Sequence, residues 1–510
     1  MTMLRNGKLV ALVCLSLTAG SRSMAADAWI EVISPNFTVV SDAGEKSARN
    51  VAWQFEQIRS AIEQAWPWSH VQLDRPMVVI AARNEATMRL FDPGDWERGI
   101  AIHPAGVAVT GVDRSYIVVR ADVTADGPEG VNPYHQSFWT YAHLTLSSAF
   151  TFRLPLWFTR GLSEVLSNTN VTDKEIQFGR SIPWDVSEFK GGRYALTELF
   201  DMRQTSPAFS REIERRRFDA QAWGLMHYML FGSKEAMARE SRVNMLAQAL
   251  LSGTPSAQAV EQAFGPLPAL DFAYREYVNR GLFRYVQFTA DMRIAAKDFA
   301  LKPIDAAGVL TIRAGFHLAM QRPAEARQAI DEARRLAPQL AAIYDAEGQL
   351  FDRDSTVGEA RRAYEQAVRF GSTDFYSYTR LAALSSEGAT QDLLANVRGW
   401  LLRAVELNDR YPLTYQWLCN ILLRMSRPGE ALAPARKAVE LGPGQFQSRL
   451  SLAEVLERLS QRDEALQEAR AALALASTDS EHRSAQVLIN RLQGLESARF
   501  QSYSSPPLVK

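Results

Sequence analysis

Seven histidines and two cysteines are a sparse chemical endowment for 510 residues. Two of the histidines, His135 and His143, fall in one stretch, YHQSFWTYAHLTLSSAFTFRLPLWFTRGLSEVLSNT (Tyr134 to Thr169), which also carries Arg160 and Glu164. A zinc ion used for hydrolysis needs two histidines one helical turn apart, a third ligand from another element, and a glutamate to take the proton of the bound water. His135 and His143 are eight residues apart, two helical turns, and cannot share one ion in that fashion. His103, His227 and Glu164 are the other donors that folding could bring in, but nothing in their spacing requires convergence. Arg160 and Glu164 stand four apart, a spacing that pairs them along a helix. Arg215-Arg216-Arg217 is a basic cluster, yet acids flank it in REIERRRFD (Arg211 to Asp219), so a solvated helix face is expected there.

The elements that must position these residues can be read from periodicity. WIEVISPNFTVVSD (Trp29 to Asp42) alternates around Pro35-Asn36 and predicts two short strands or a hairpin. Lys46 to Ala65 carries Ala48, Val51, Phe55, Ile58 and Ile62 at helical spacing, MVVIAAR (Met77 to Arg83) is a buried strand, and GVAVTG and SYIVVRAD are two more strands. After Asn132 the pattern is helical almost without interruption. FDAQAWGLMHYMLFG (Phe218 to Gly232) is apolar on more than one face, as befits a buried helix. Phe264-Gly265-Pro266 and Leu267-Pro268 break helices late in this half.

A chain of this length exceeds one core, so two or three domains are expected. Lys plus Arg and Asp plus Glu are 57 each, which leaves no bulk field to draw in nucleic acid or anionic lipid. Arg5 and Lys8, the apolar run Leu9 to Leu17 and the small residues Ser23-Met24-Ala25-Ala26 have the order of a secretory signal peptide over residues 1–25, too short an apolar run for a stable anchor. The expectation is an exported protein, periplasmic or extracellular, with no transmembrane anchor in the mature chain. Cys14 lies inside that segment, so cleavage would leave Cys419 as the sole thiol and no internal disulfide.

The C-terminal half repeats itself. Ala326, Ala360, Val397, Ala431 and Ala465 recur at intervals of 34, 37, 34 and 34. Each is followed at +4 by Ile330, Tyr364, Leu401, Ala435 and Ala469, and at +7 by Ala333, Ala367, Ala404, Ala438 and Ala472. These offsets draw one narrow stripe of mostly small residues along a helix, which lets neighbouring helices approach closely. RPAEARQAIDEARRLAP, RPGEALAPARKAVELGP and QRDEALQEARAALALAS resemble the second helix of the tetratricopeptide repeat, and Gly348 and Phe351 match its first helix. The resemblance implies about five repeats over residues 303–480, a cap helix over 481–500 and a disordered tail over 501–510. The three extra residues before Val397 are assigned to the turn around Ser386 to Gln391. Such repeats present the inner faces of their first helices to protein or peptide. By register that face includes Asp345, Gln349, Tyr376, Gln416, Asn420, Arg424, Glu454 and Arg458.

The stretch from Tyr134 to Thr169 resembles the active-site region of the peptidase MA-like family, a gluzincin-type metallopeptidase fold. Leu154-Pro155-Leu156-Trp157 matches that family's LPLW, Gly161-Leu162-Ser163-Glu164 matches its GLAE, and His143 falls on the second histidine of its His-Glu-x-x-His helix. The likeness extends over roughly residues 28 to 290 and implies a degenerate domain over 26–302. It also implies which groups are missing. The first histidine is Trp139, the general base is Thr140, and the third ligand, just before Gly161, is Arg160. An indole is no ligand, an alcohol is a poor base near neutrality, and a guanidinium brings charge of the wrong sign.

The expected fold is therefore an α+β N-terminal metallopeptidase-like domain, a mixed sheet followed by helices, joined to an all-α tetratricopeptide-repeat superhelix. The expected function is non-catalytic binding or scaffolding, with protein or peptide recruited by the repeats and no cofactor or metal. The alternative is a metallopeptidase or other hydrolase with altered active-site residues.

Overall fold

The computed structural model describes residues 28–69, 73–92, 106–123, 130–150, 154–190, 193–232 and 236–494. The leader with Cys14, His103 and the C-terminal tail lie outside the described residues, as does the end of the segment assigned to the cap.

Alternation in the first strands produces β1 (Trp29–Ile33) and β2 (Phe37–Ser41), an antiparallel hairpin with Val32 opposite Val39. Helix α1 (Glu45–Ala65) follows, and β3 (Met77–Ala82) lies parallel to β2. All six residues of β3 are buried, as expected of an apolar run covered on both faces. After α2 (Glu85–Phe91) come β4 (Gly106–Thr110) and β5 (Ser115–Arg120), an antiparallel hairpin whose second strand runs parallel to β3.

The helical part begins with α3 (His135–Phe150) and α4 (Leu156–Ser167). It continues with α5 (Pro183–Lys190), α6 (Leu196–Asp201), α7 (Glu212–Phe231), α8 (Ala236–Leu251), α9 (Ser256–Phe264) and α10 (Leu267–Arg280). The expectation of nearly uninterrupted helices after Asn132 needs correction. β6 (Asn170–Val171), β7 (Glu175–Phe178) and β8 (Val286–Thr289) form a second, antiparallel sheet, and β9 (Ala300–Ile304) pairs with β1. Strands of two to five residues offer too little alternation to read, and their partners are remote in sequence. The main sheet thus has the order β4-β5-β3-β2-β1-β9.

The two faces of this sheet bury different helices. Val39, Val79, Ala81, Ile117 and Val119 pack with Phe55 of α1 and with Phe138 and Tyr141 of α3. Val78, Ile80, Tyr116 and Val118 pack with Met88 and Phe91 of α2 and with Phe316. Phe316 belongs to α11 (Ala306–Ala319), the first helix of the repeat array, so that helix also roofs the N-terminal sheet.

From α11 onward the helices come in pairs. α11 with α12 (Pro323–Leu336) is followed by α13 (Ala341–Arg353) with α14 (Val357–Arg369), and α15 (Phe375–Ser386) with α16 (Gln391–Leu407). Then come α17 (Pro412–Arg424) with α18 (Pro428–Leu441), α19 (Phe446–Arg458) with α20 (Arg462–Leu475), and a closing helix α21 (Asp479–Leu492). Every residue of the predicted stripe, five at each of three offsets, is 2% exposed or less. Gly348 is needed for close approach, since a Cβ there would stand 2.4 Å from the Tyr364 ring. The three extra residues before Val397 are not in the turn as expected: residues 387–390 make a turn one residue longer than those of the other pairs, and the extra length lies at the start of α16, whose stripe begins at its seventh residue where the other second helices begin at their fourth.

Four of the turns inside pairs share a device that is not visible in composition. Gln321, Ser355, Ser426 and Ser460 all have φ between 58° and 62°. The N–H after each donates back to a carbonyl five residues earlier, for example Arg427 to Leu422 at 2.8 Å. This left-handed closure satisfies carbonyls that the ending helix leaves open. Among the described residues no helix is long and apolar enough to cross a membrane.

Candidate functional site

Helix α3 is set in place by its first turn and its aromatic face. The Asn132 backbone N–H donates to Asn168 Oδ1 at 2.8 Å, and Asn132 Nδ2 donates to the Thr169 carbonyl at 2.7 Å. These bonds fix the start of α3 beside the end of α4. Phe138 and Tyr141 face the sheet, meeting Phe55 and Phe37 with ring centroids 5.5 and 5.4 Å apart. Trp139, Thr140 and His143 are thereby turned to the other side. Helix α4 lies almost backbone to backbone on α7: a Cβ at Gly161 would come within 2.5 Å of the Ala222 carbonyl oxygen.

Trp139, His143 and Arg160 converge. One turn apart on α3, the Trp139 and His143 rings stack at 4.8 Å and 17°. From α4, the Arg160 guanidinium sits 4.9 Å from the Trp139 ring centroid and 5.1 Å from that of Phe209. It donates twice to one carboxylate: Nε to Asp219 Oδ1 at 2.5 Å and Nη2 to Asp219 Oδ2 at 2.6 Å. Both side chains are largely withdrawn from water, at 13% and 19% exposure. Sequence spacing pairs Arg160 with Glu164. The hydrogen bonds instead reach Asp219 on α7, crossing between helices. Asp219 escapes sequence reasoning because it closes a charged run that reads as a solvated face. That reading holds for Arg216, paired with Glu212, whereas Arg217, whose side chain reaches Glu214 at 3.2 Å, is half-buried.

Glu164 is half-buried as a residue with its carboxyl desolvated. Burial first, and the Asp219 carboxylate second, push it up to about 8; Arg160 and the Trp139 indole N–H pull the other way and do not prevail. Burial, aided by the positive charge of Arg160, lowers His143 to about 4. Trp139, His143 and Glu164 thus pack around one internal ion pair, with burial disfavouring the charged forms of both His143 and Glu164. Thr140 Oγ1 donates to the Gln136 carbonyl at 3.0 Å, within its own helix.

The other histidines are placed elsewhere. His135 is the first residue of α3, its Nδ1 3.1 Å from the Asn132 carbonyl. His227 is fully buried, with Nε2 2.7 Å from the Gly179 carbonyl and Nδ1 2.9 Å from the Tyr277 hydroxyl. Phe231, Tyr277 and Phe283 surround it, which makes it a core residue. Among the described residues no three His, Cys, Asp or Glu side chains cluster as a metal site would. The groups around His143 do not fit a dication either. One neighbour is an indole face and the next is a guanidinium already neutralised by Asp219.

The eight residues predicted on the inner face of the array divide in two. Asp345, Gln349, Tyr376 and Gln416 are buried in this structure. Asp345 accepts hydrogen bonds from Ser372 Oγ and Ser377 Oγ at 2.8 and 2.6 Å. Gln416 Nε2 donates to Gln445 Oε1 and Ser448 Oγ, both at 2.7 Å. These side chains tie successive first helices together. Asn420, Arg424 and Arg458 are exposed and Glu454 is half-buried, so the open stretch lies on α17 and α19. Arg424 also donates to the Ser386 carbonyl at 2.6 Å.

No protein-family profile and no curated protein matches the chain. Solved structures match its helical C-terminal part. One is YrrB, described as a tetratricopeptide-repeat protein with an unusual peptide-binding site, at 20% identity and a TM-score of 0.30 over 36% of this chain and 90% of that one. Others are PilF of Pseudomonas aeruginosa, at 19% identity, TM-score 0.31, over 39% and 88%, and the type IV pilus biogenesis factor PilW, at 12%, 0.31, over 39% and 90%. What makes the array tetratricopeptide-like in this chain is its own buried stripe and paired helices.

Proposed function

We propose that the chain is an exported, non-catalytic binding or scaffold protein. In this reading a peptidase MA-like cleft has exchanged its metal for the Arg160–Asp219 bridge, and the repeat array recruits protein or peptide. The observation that carries it is the position of Arg160. The residue that the family resemblance aligns with a metal-binding carboxylate instead stacks on Trp139 and holds α4 to α7 by two charge-assisted hydrogen bonds. A bridge of that kind cross-links helices as an ion would, but offers a substrate no Lewis acid and no activated water. Export is supported by the order of charged, apolar and small residues at the N-terminus.

A second reading keeps the alternative of a hydrolase in the same cleft. It is favoured by one observation: Glu164, raised to about 8, and His143, lowered to about 4, are an acid and a base pushed apart by one environment. The first reading is preferred because the guanidinium beside both groups is already paired with Asp219 and lies against the Trp139 ring.

Recruitment by the array is tested on the full chain. Arg424→Glu with Arg458→Glu reverses two charges on the open stretch without touching the buried stripe. Crosslinking in the native compartment is expected to lose most partners captured by the parent chain. An unchanged set would move recruitment to the N-terminal half.

A further inference from the structure

The first half of the array's groove is already occupied, by the chain itself. The turn between β4 and β5, Gly111 to Arg114, closes with a bond from the Gly111 N–H to the Arg114 carbonyl at 2.8 Å. A Cβ on Gly111 would lie 3.5 Å from the Ala319 side chain. Asp113 is buried, Arg114 Nε pairs with it at 2.6 Å, and Arg114 Nη2 reaches Asp374, the N-cap of α15, at 3.9 Å. The turn thus runs along the inner side of the first three repeats, where the repeat register places Asp345, Gln349 and Tyr376 to meet a partner. Alongside it, Asn408 Nδ2 donates to the Asp74 carbonyl at 2.8 Å and the Arg75 guanidinium lies 5.5 Å from the Tyr411 ring centroid.

We infer that the Gly111–Arg114 turn is an autoinhibitory latch: it fills the groove over α13 and α15 through Arg114 and must leave before a protein segment can use the whole array. The inference rests on the array being a binding surface and adds what regulates it. Three features make the contact releasable. First, Arg114 meets Asp374 at ion-pair range without a hydrogen bond. Second, the groove carboxylates keep hydrogen-bond partners of their own when the Arg114 charge leaves. Asp345 has its two serine hydroxyls, and Asp374 accepts from the Tyr376 N–H at 3.2 Å. Third, the tip of the turn is not packed over: Val112 is 44% exposed, and a cavity of about 300 Å³ remains between Val112, Gln349 and Arg353. The docking of α11 is of another kind, with Phe316 buried between Phe91 and Tyr116 at 5.8 and 6.1 Å. That apolar joint stays closed while the polar contact beyond it opens.

The test uses the full chain carrying Gln349→Cys with Cys14→Ser and follows the rate at which the new thiol reacts with a maleimide at neutral pH. Cys419 is buried. Arg114→Ala is expected to speed labelling at least tenfold. Arg114→Met, which keeps the apolar stem and removes the charge, should do the same and gives the reading if the alanine variant does not fold. Arg322→Ala cuts the Arg322–Asp92 bridge at 2.7 Å on the α11 side and should leave the rate unchanged. Equal rates in the parent and in both folded Arg114 variants would overturn the latch. So would equal acceleration by Arg322→Ala, which would mean general loosening. No partner enters this measurement, so its failure leaves the binding role of the array to be judged separately.

Discussion

Replacing Asp219 by alanine is expected to cost about 3 kcal/mol of folding stability, because it strands a guanidinium in a mostly buried position. Arg160 is 13% exposed and Asp219 supplies both of its short carboxylate bonds. The double change Arg160→Met with Asp219→Leu removes both charges and keeps apolar volume against Trp139 and Phe209. It is expected to stay within about 1 kcal/mol of the parent. Urea unfolding of the single and double variants measures the difference. The loss in Asp219→Ala should also shrink at high pH. With Asp219 gone, the repulsion that helps raise Glu164 is gone, and Glu164 can ionise one turn from Arg160 and take over the pairing. A loss of similar size in the double variant would show that side-chain volume, and not charge pairing, holds α4 to α7.

His227→Gln is expected to remove about 3 kcal/mol from the stability that the protein loses between pH 7 and pH 4, since a tenfold change in a protonation equilibrium corresponds to about 1.4 kcal/mol. Burial lowers His227 to about 4 from an ordinary value of 6.5. Its neutral ring donates from Nε2 to the Gly179 carbonyl and accepts at Nδ1 from the Tyr277 hydroxyl, and a second ring proton would collide with the latter. Because the folded value lies below the unfolded one, this stability is complete above about 6.5. It disappears as pH falls towards about 4. His143 and His317 are also lowered to about 4 by burial, and act in the same direction. Glu164, raised to about 8, and Asp345, raised to about 6, oppose them, since their neutral forms favour the fold and that stability is lost as pH rises through those values. The informative quantity is therefore the difference between variant and parent in denaturation midpoints across the acid range. An unchanged acid slope in His227→Gln would contradict a neutral buried imidazole.

The repeat array is legible in the sequence because its constraint is local and periodic. Small residues every third or fourth position must be buried wherever paired helices touch, and Ala326 through Ala472 are. The first three strands, α1 and the β4–β5 hairpin are legible for the same reason. What escapes sequence reasoning is long-range. Asp219 finds Arg160 across 59 residues, β7 finds β8 across more than a hundred, and the Gly111–Arg114 turn finds a groove some 230 to 260 residues away. Nothing in the sequence around Asp345 or Tyr376 announces that the chain's own hairpin would cover them. The left-handed Gln321, Ser355, Ser426 and Ser460 escape as well, because that conformation is usually announced by glycine. In the cleft, the residue types are enough to doubt a metal, while the partner that neutralises Arg160 comes from the fold.

Whether a guanidinium bridge stands where the family resemblance would put a dication is tested most directly by a zinc titration of two full-length proteins. The first is the parent, purified without chelator. The second carries Trp139→His, Thr140→Glu and Arg160→Glu, with Asp219 left to add negative charge near the new donors. The prediction is near-stoichiometric zinc in the triple variant and none retained by the parent. Stoichiometric zinc in the parent, removed by chelator together with a hydrolytic activity, would contradict it.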